Sequence, residues 1–205
     1  MKDVQIAGPA GSLQVRPYWQ DDDTLVVICH PHPLFGGTMD NKVITTLSRY
    51  WRQRGYSVVV FNFRGVGTST GSHDNGVGEI ADLRAVLQWA IRQQPVGRLI
   101  LAGFSFGAYI AAAGASQLTD WSLAGLLLQQ VVLVAPAVHH YPMQCLSLPS
   151  DTVVLIGDQD EVVPPQAVID WATQLSLNAV LMPACSHFFH GHLSDLSAQL
   201  ERFDR

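Results

Sequence analysis

The chain has 205 residues, 48% hydrophobic and 14% charged, which is typical of a globular protein with a substantial core and excludes a disordered one. Its formal charge is −5 at pH 7 and it has no basic run, which argues against a nucleic-acid partner. The three cysteines do not form a disulfide framework pattern, and the N-terminus lacks the apolar core of a signal peptide, so we expect a cytoplasmic protein.

Strand and helix patterns alternate along the chain after an N-terminal hairpin. Strand-like runs at 4–6 and 12–19, joined by a Gly-Pro-Ala-Gly turn, predict the antiparallel hairpin. Apolar runs typical of buried strands follow at 24–29, 57–61, 98–102, 131–135, 152–156 and 178–182. Helical patterns lie between Asp40 or Asn41 and Gly55, between Gly78 and Pro95, at 108–113, at 118–128, after Pro164-Pro165 and at 193–203.

This alternation predicts an α/β fold of three layers. The sheet is expected to be twisted and mostly parallel, with about eight strands and with helices on both faces. We find no linker and no repeat, so residues 1–205 are expected to form a single domain. The apolar stretch 121–138 is interrupted by Gln129, Gln130 and Pro136, and we interpret it as a helix end, a turn and a buried strand rather than a membrane span.

The pentapeptide Gly103-Phe104-Ser105-Phe106-Gly107 joins a strand pattern to an alanine-rich helical pattern. Strand, Gly-x-Ser-x-Gly and helix is the context of a nucleophile elbow, where a sharp turn demands small residues two positions before and after the serine. The N-terminus of the following helix favours negative charge beside it. Ser105 is therefore a candidate nucleophile, although a glycine-flanked serine also occurs in ordinary strand–helix loops.

Acidic residues and a histidine follow two later strands. Asp158, Asp160 and Glu161 come after the strand at 152–156, and His187 comes after the strand at 178–182. Because the carboxyl ends of parallel strands share one edge of a sheet, we expect these side chains near Ser105. A serine needs a base, for which His187 is the candidate, and the imidazole needs a carboxylate, for which all three acidic residues compete.

The same segments resemble the α/β-hydrolase superfamily. The resemblance rests on the Gly-x-Ser-x-Gly elbow, on Gly157-x-x-Asp160-x-x-Val163-Pro164 and on Ser186-His187-Phe188-Phe189. Residues 30–42 (HPHPLFGGTMDNK) and 61–69 (FNFRGVGTS) resemble its small bacterial branch related to dienelactone hydrolase. The likeness covers nearly the whole chain and places Asp160 at the position of the catalytic acid, with Asp158 second.

The resemblance also has two departures and one consequence for the shape of the cleft. Asn62 stands where related hydrolases often have Asp, and the nucleophile is serine where dienelactone hydrolases have cysteine. Larger relatives insert a lid after the strand that here ends at Pro136. Only about fifteen residues separate Pro136 from the next strand, too few for a lid domain, so an open cleft is expected.

An oxyanion hole would need two N–H donors. The backbone N–H of Phe106, directly after the serine, is one candidate. The second is expected from the loop after strand 24–29, where Pro31 and Pro33 have no N–H and leave His32 or Leu34. The resemblance slightly favours His32. Aromatic residues flank these loops and suggest a pocket for apolar acyl groups, with the candidates Phe35, Phe104 and Phe188.

We expect neither a cofactor nor a metal. The glycines at 65, 67 and 71 have the wrong spacing for a dinucleotide-binding loop, and His30-x-His32 is interpreted as packing of the oxyanion loop rather than a metal pair. The sequence thus predicts a serine hydrolase that cleaves small acyl esters or thioesters through an acyl-enzyme. A non-catalytic binding or regulatory protein and an acyltransferase are the alternatives. We expect a small-molecule substrate, no membrane association, and a monomer or homodimer.

Overall fold

The computed structural model describes residues 2–121, 123 and 125–203. Its strands form one eight-stranded sheet in the order β1-β2-β4-β3-β5-β6-β7-β8. They are β1 (Val4–Gly8), β2 (Gly11–Tyr18), β3 (Thr24–Cys29), β4 (Ser57–Phe61), β5 (Arg98–Phe104), β6 (Leu127–Val134), β7 (Val153–Gly157) and β8 (Ala179–Met182). The helices are α1 (Lys42–Gln53), α2 (Val77–Gln93), α3 (Phe106–Gln117), α4 (Pro165–Gln174) and α5 (Leu193–Glu201).

The sheet has the predicted architecture. Strand β1 pairs antiparallel with β2, and β2 pairs antiparallel with β4, whereas all the other neighbours are parallel. Every residue of β3, β4 and β7 is buried, which requires that both faces of the sheet be covered. The parallel strands therefore bring their carboxyl ends, and the loops that follow them, to one edge.

The predicted helix at 118–128 is wrong. Only a short 3₁₀ turn, Leu118–Trp121, follows α3, and β6 begins at Leu127, which pairs with Arg98. Gly125 has a φ of 83°, a left-handed conformation that a helix does not accommodate, while Ser122 and Ala124 lie outside the described residues. A leucine-rich run packs equally well as a helix or as a buried strand, so its pattern alone does not separate the two.

The connection from β6 to β7 is short, and it contains no lid. Residues 135–152 form turns, and the structure assigns neither helix nor strand to them. The expectation of a lid-less fold is confirmed. Among the described residues, no helix combines the length and apolar character needed to cross a bilayer.

Candidate active site

Ser105 occupies a strained turn between β5 and α3. Its φ of 55° and ψ of −117° are unusual for a residue with a side chain. The turn is possible because of its flanking glycines. A Cβ at position 103 would lie 2.1 Å from the carbonyl oxygen of Gly107, and one at position 107 would lie 2.1 Å from that of Cys29. Gly103 is thus required by the turn itself, and Gly107 by the close approach of the elbow to the end of β3.

Ser105, His187 and Asp160 form a chain of hydrogen-bonding contacts. The Nε2 atom of His187 lies 3.2 Å from the Ser105 Oγ, and its Nδ1 lies 2.7 Å from the Asp160 Oδ2. All three residues are buried, with Ser105 8% exposed. With the Nδ1 proton donated to the carboxylate, Nε2 is left as the acceptor for the hydroxyl proton. This arrangement can deprotonate an alcohol at the moment it attacks a carbonyl.

The structure separates the three acidic candidates after β7. Asp160 is held firmly, because its Oδ1 accepts hydrogen bonds from the backbone N–H groups of Val162 (2.9 Å) and Val163 (2.7 Å). Asp158 is exposed. The Glu161 Oε2 accepts a hydrogen bond from the backbone N–H of His187 at 3.1 Å, so it braces the histidine loop without contacting the imidazole.

His30 organises the loop after β3. Its Nε2 accepts a hydrogen bond from the Phe63 N–H at 3.0 Å, so its Nδ1 carries the proton and donates to the Pro31 carbonyl at 2.6 Å. Burial lowers the pKa of His30 to about 3, which keeps the ring in the neutral form that these two bonds require. Across the described ranges, no three His, Cys, Asp or Glu side chains come together as a metal site.

Two backbone N–H groups in the loop after β3 differ in their availability. The Leu34 N–H donates to the Nδ1 of His32 at 3.2 Å, within the 3₁₀ turn Pro33–Phe35. Among the described residues, we find no acceptor for the N–H of His32 or of Phe106. Burial, and after it the nearby His73, lowers the pKa of His32. The loop therefore leaves one free donor where the sequence suggested two candidates.

A cleft of about 520 Å³ opens at Ser105. Its lining is mostly aromatic and aliphatic, and consists of His32, Phe35, Asn75, Ser105, Phe106, Ala137, His140, Tyr141, Pro142, Val162 and Val163. Burial raises the pKa of Tyr141 to about 12, so its phenol is neutral. Sequence reasoning missed Asn75, Tyr141 and Val162 as lining residues, because they stand in loops without a motif.

Only one of the three predicted pocket residues lines this cleft. Phe35 does, and it is 86% exposed. The prediction that Phe104 lines the pocket is corrected, because Phe104 has no exposed surface. Its ring instead lies behind the His187 ring, with the two centroids 5.0 Å apart. The prediction that Phe188 lines the pocket is also corrected. Its ring packs edge-on against the His187 ring, with the centroids 5.0 Å apart, and Phe188 is not among the residues that line the cleft. Both rings hold the imidazole in place.

Polar side chains of the loop after β4 tie this loop to neighbouring parts of the fold by hydrogen bonds. Arg64 donates hydrogen bonds to both carboxylate oxygens of buried Asp82 at 2.7 and 3.0 Å, and to the Gly78 carbonyl at 2.7 Å. Asn62 accepts from the Met39 N–H and donates to the Gln14 side chain, each at 2.8 Å. A carboxylate could not donate to Gln14, which explains the asparagine at this position.

Comparisons with known proteins agree with this architecture. A family model described as the alpha/beta hydrolase fold matches residues 24–146. An uncharacterized protein of Rickettsia prowazekii is 30% identical, over 99% of this chain and 88% of its own length. A lid-less α/β serine hydrolase of Xanthomonas campestris is 39% identical, with a TM-score of 0.90 over 98% of this chain and 92% of its own.

A second similar structure is an α/β serine hydrolase homologue from Coxiella burnetii. It is 43% identical, with a TM-score of 0.86, and the match covers 98% of this chain and 96% of that one. The family model, the sequence relative and the solved structures thus agree over the region that carries the elbow. The chain belongs to the alpha/beta hydrolase fold family.

Proposed function

We propose that this protein is a serine hydrolase that cleaves small acyl esters or thioesters through an acyl-enzyme. The observation that carries the proposal is the chain of contacts from Ser105 through His187 to Asp160, which ends in an open cleft. The family assignment and its lid-less serine hydrolase relatives support a hydrolase in general. The mostly apolar lining supports an apolar acyl group.

In the proposed reaction, His187 takes the hydroxyl proton through Nε2 while Ser105 Oγ attacks the acyl carbon. The negative charge that develops on the carbonyl oxygen is stabilised by the N–H groups of Phe106 and His32. His187 then returns the proton to the leaving alkoxide or thiolate, which leaves the acyl group on Ser105. A water molecule, deprotonated by the same imidazole, releases the acid and restores the serine.

His32 is preferred over Leu34 as the second oxyanion donor. The Leu34 N–H is already used by the His32 side chain, and Leu34 itself is 71% exposed. The Phe106 N–H lies at the first turn of α3, where unpaired N–H groups and the helix dipole both favour an anion. The two proposed donors therefore belong to two different loops that meet at the serine.

The test is turnover of p-nitrophenyl acetate by the parent protein and by Ser105→Ala, with labelling by a fluorophosphonate probe. We expect Ser105→Ala to fold, to remain unlabelled and to lose at least about 10,000-fold in kcat, because the nucleophile is gone. Turnover at the parent rate in this variant would refute the proposal. Products formed in the presence of a competing alcohol would separate hydrolysis from acyl transfer.

A further inference from the structure

Glu79 is a fully buried carboxylate that the proposed reaction does not use. It lies in the first turn of α2, and it is 0% exposed. Its Oε1 accepts a hydrogen bond from the Asp74 N–H at 2.9 Å, and its Oε2 accepts one from the Gly76 N–H at 2.8 Å. The same Oε1 lies 3.0 Å from the Nδ1 of His73. Glu79 thus ties the segment 73–76 to the helix at three points.

The segment that Glu79 holds has a left-handed backbone at two residues and borders the cleft. Asn75, which lines the cleft, has a φ of 50°, and Gly76 has a φ of 99°. A Cβ at Gly76 would lie 2.6 Å from the Tyr109 ring, so the backbone is pressed against that side chain. Gly76 adopts this conformation freely and Asn75 does so at a small cost, and the hydrogen bonds from Asp74 and Gly76 to the buried carboxylate hold the segment in place.

His73 connects this carboxylate to the proposed oxyanion hole. Its side chain is 6% exposed, and its ring centroid lies 4.7 Å from that of His32 and 5.5 Å from that of Phe106. These are the two residues whose backbone N–H groups are the proposed oxyanion donors. Neither ring nitrogen of His73 has a well-aligned hydrogen bond among the described residues, so the ring is held by close approach to Glu79 and by packing against the two rings.

We propose that His73, held by Glu79, is a positioning residue for the oxyanion hole. The inference rests on the proposed function and names a part of the same site that no motif marks. The imidazole touches no reacting atom. It presses on the side chains of His32 and Phe106 from behind and fixes the direction of their N–H groups. Because donors must be placed in advance where the charge develops, loosening this contact slows the acylation step more than it weakens binding.

The experiment is a double-mutant cycle of His73→Ala and Glu79→Gln, with activities given per active site titrated by a fluorophosphonate. We expect His73→Ala to lower kcat for p-nitrophenyl acetate about 10- to 100-fold, while KM changes by less than about threefold. The double variant should lose less than the product of the two single losses, because the part of the Glu79 effect that acts through the His73 ring is lost only once. The proposal would be overturned if the loss in kcat of the double variant equalled the product of the two single losses, or if His73→Ala changed only KM.

The matched control is His192→Ala. The Nδ1 of His192 also lies close to a carboxylate, 2.8 Å from the Asp195 Oδ2, but this pair is exposed at the start of α5. We expect its kcat to stay at the parent value. If His192→Ala slowed turnover as much as His73→Ala, loss of a histidine–carboxylate pair in general would be the cause, and the proposal would fail.

A measurement that does not depend on turnover can test the positioning role of His73 separately from the proposed hydrolase activity. In amide NMR spectra, we expect His73→Ala to shift the His32 and Phe106 N–H resonances and His192→Ala to leave both unchanged. Unchanged resonances in His73→Ala would overturn the positioning role even in an active enzyme. Shifted resonances in a protein that no ester or fluorophosphonate modifies would retain the positioning role and refute the hydrolase.

Discussion

Two groups of loops meet at the carboxyl edge of the sheet, and their buried polar side chains differ in what they contact. In the loops after β5, β7 and β8, Ser105, His187 and Asp160 contact one another, and the chain of contacts ends in the cleft. In the loops after β3 and β4, His30 is satisfied by backbone atoms and Arg64 by buried Asp82 and a carbonyl.

The difference shows how buried polar side chains that are placed for reaction can be distinguished from those that stabilise the loops. Both groups of loops carry buried titratable residues, but in the first group the Ser105 hydroxyl, which contacts His187 Nε2, also lines the cleft. The second holds two side chains in a closed network, in which His30 is hydrogen-bonded through both ring nitrogens and Arg64 through its Nε and Nη2 atoms. The proposed proton transfer therefore belongs to the first group of loops, and the second group supplies positioning contacts and one proposed oxyanion donor, the His32 N–H. Substitutions in the first group should therefore lower kcat, and substitutions in the second should lower the free energy of unfolding.

The largest expected effect is in the first group. Asp160→Asn should lower kcat about 10,000-fold with the fold intact, because the amide can still accept from the backbone N–H groups of Val162 and Val163 but would present an N–H group to His187 Nδ1. The imidazole would then carry its proton on the wrong nitrogen. Steady-state kinetics measures this, with exposed Asp158→Asn as the control. A loss below about tenfold would contradict the assignment of Asp160.

The second prediction concerns the closed network. Arg64→Leu leaves Asp82 as a buried carboxylate without its cation, and we expect the free energy of unfolding to fall by about 3–5 kcal/mol. Urea denaturation measures the change. Arg98→Leu removes an exposed arginine that pairs with Asp23 and should have little effect. Equal losses in the two variants would remove the contrast between a closed network and an ordinary surface pair.

The smallest effect is a pH dependence of stability that originates at His30. Its pKa is lowered from 6.5 to about 3 in the folded protein, so the unfolded chain takes up a proton first as the pH falls. Stability should therefore drop below pH 6.5, by at most about 1.4 kcal/mol per pH unit from this group. Urea denaturation between pH 7 and 4 measures the slope. His30→Gln should flatten it, and an unchanged slope would show that other groups are responsible.

Much of the fold was predictable, because buried parallel strands are continuous apolar runs and their order restricts the topology. The hairpin, the parallel sheet and the lid-less connection at 135–152 were all confirmed. The run at 118–128 was not, because burial of leucines is compatible with two backbone conformations. The pocket was predicted only in part, since Phe104 and Phe35 are equally aromatic and only packing separates a buried ring from an exposed one.

By itself, the sequence determined the turn at Ser105, because strand, Gly-x-Ser-x-Gly and helix is a local pattern, and a Cβ at Gly103 would clash with Gly107 four residues on. The need for glycine at 107 is tertiary, since a Cβ there would clash with Cys29 of β3. The sequence also determined that an acid and a histidine would follow later strands to the same edge of the sheet. Only the tertiary structure decided that Asp160 rather than Asp158 faces His187, and that His73 packs behind His32. Those contacts join loops that are distant in the chain, and their geometry depends on how the whole sheet twists and packs, which no local pattern encodes.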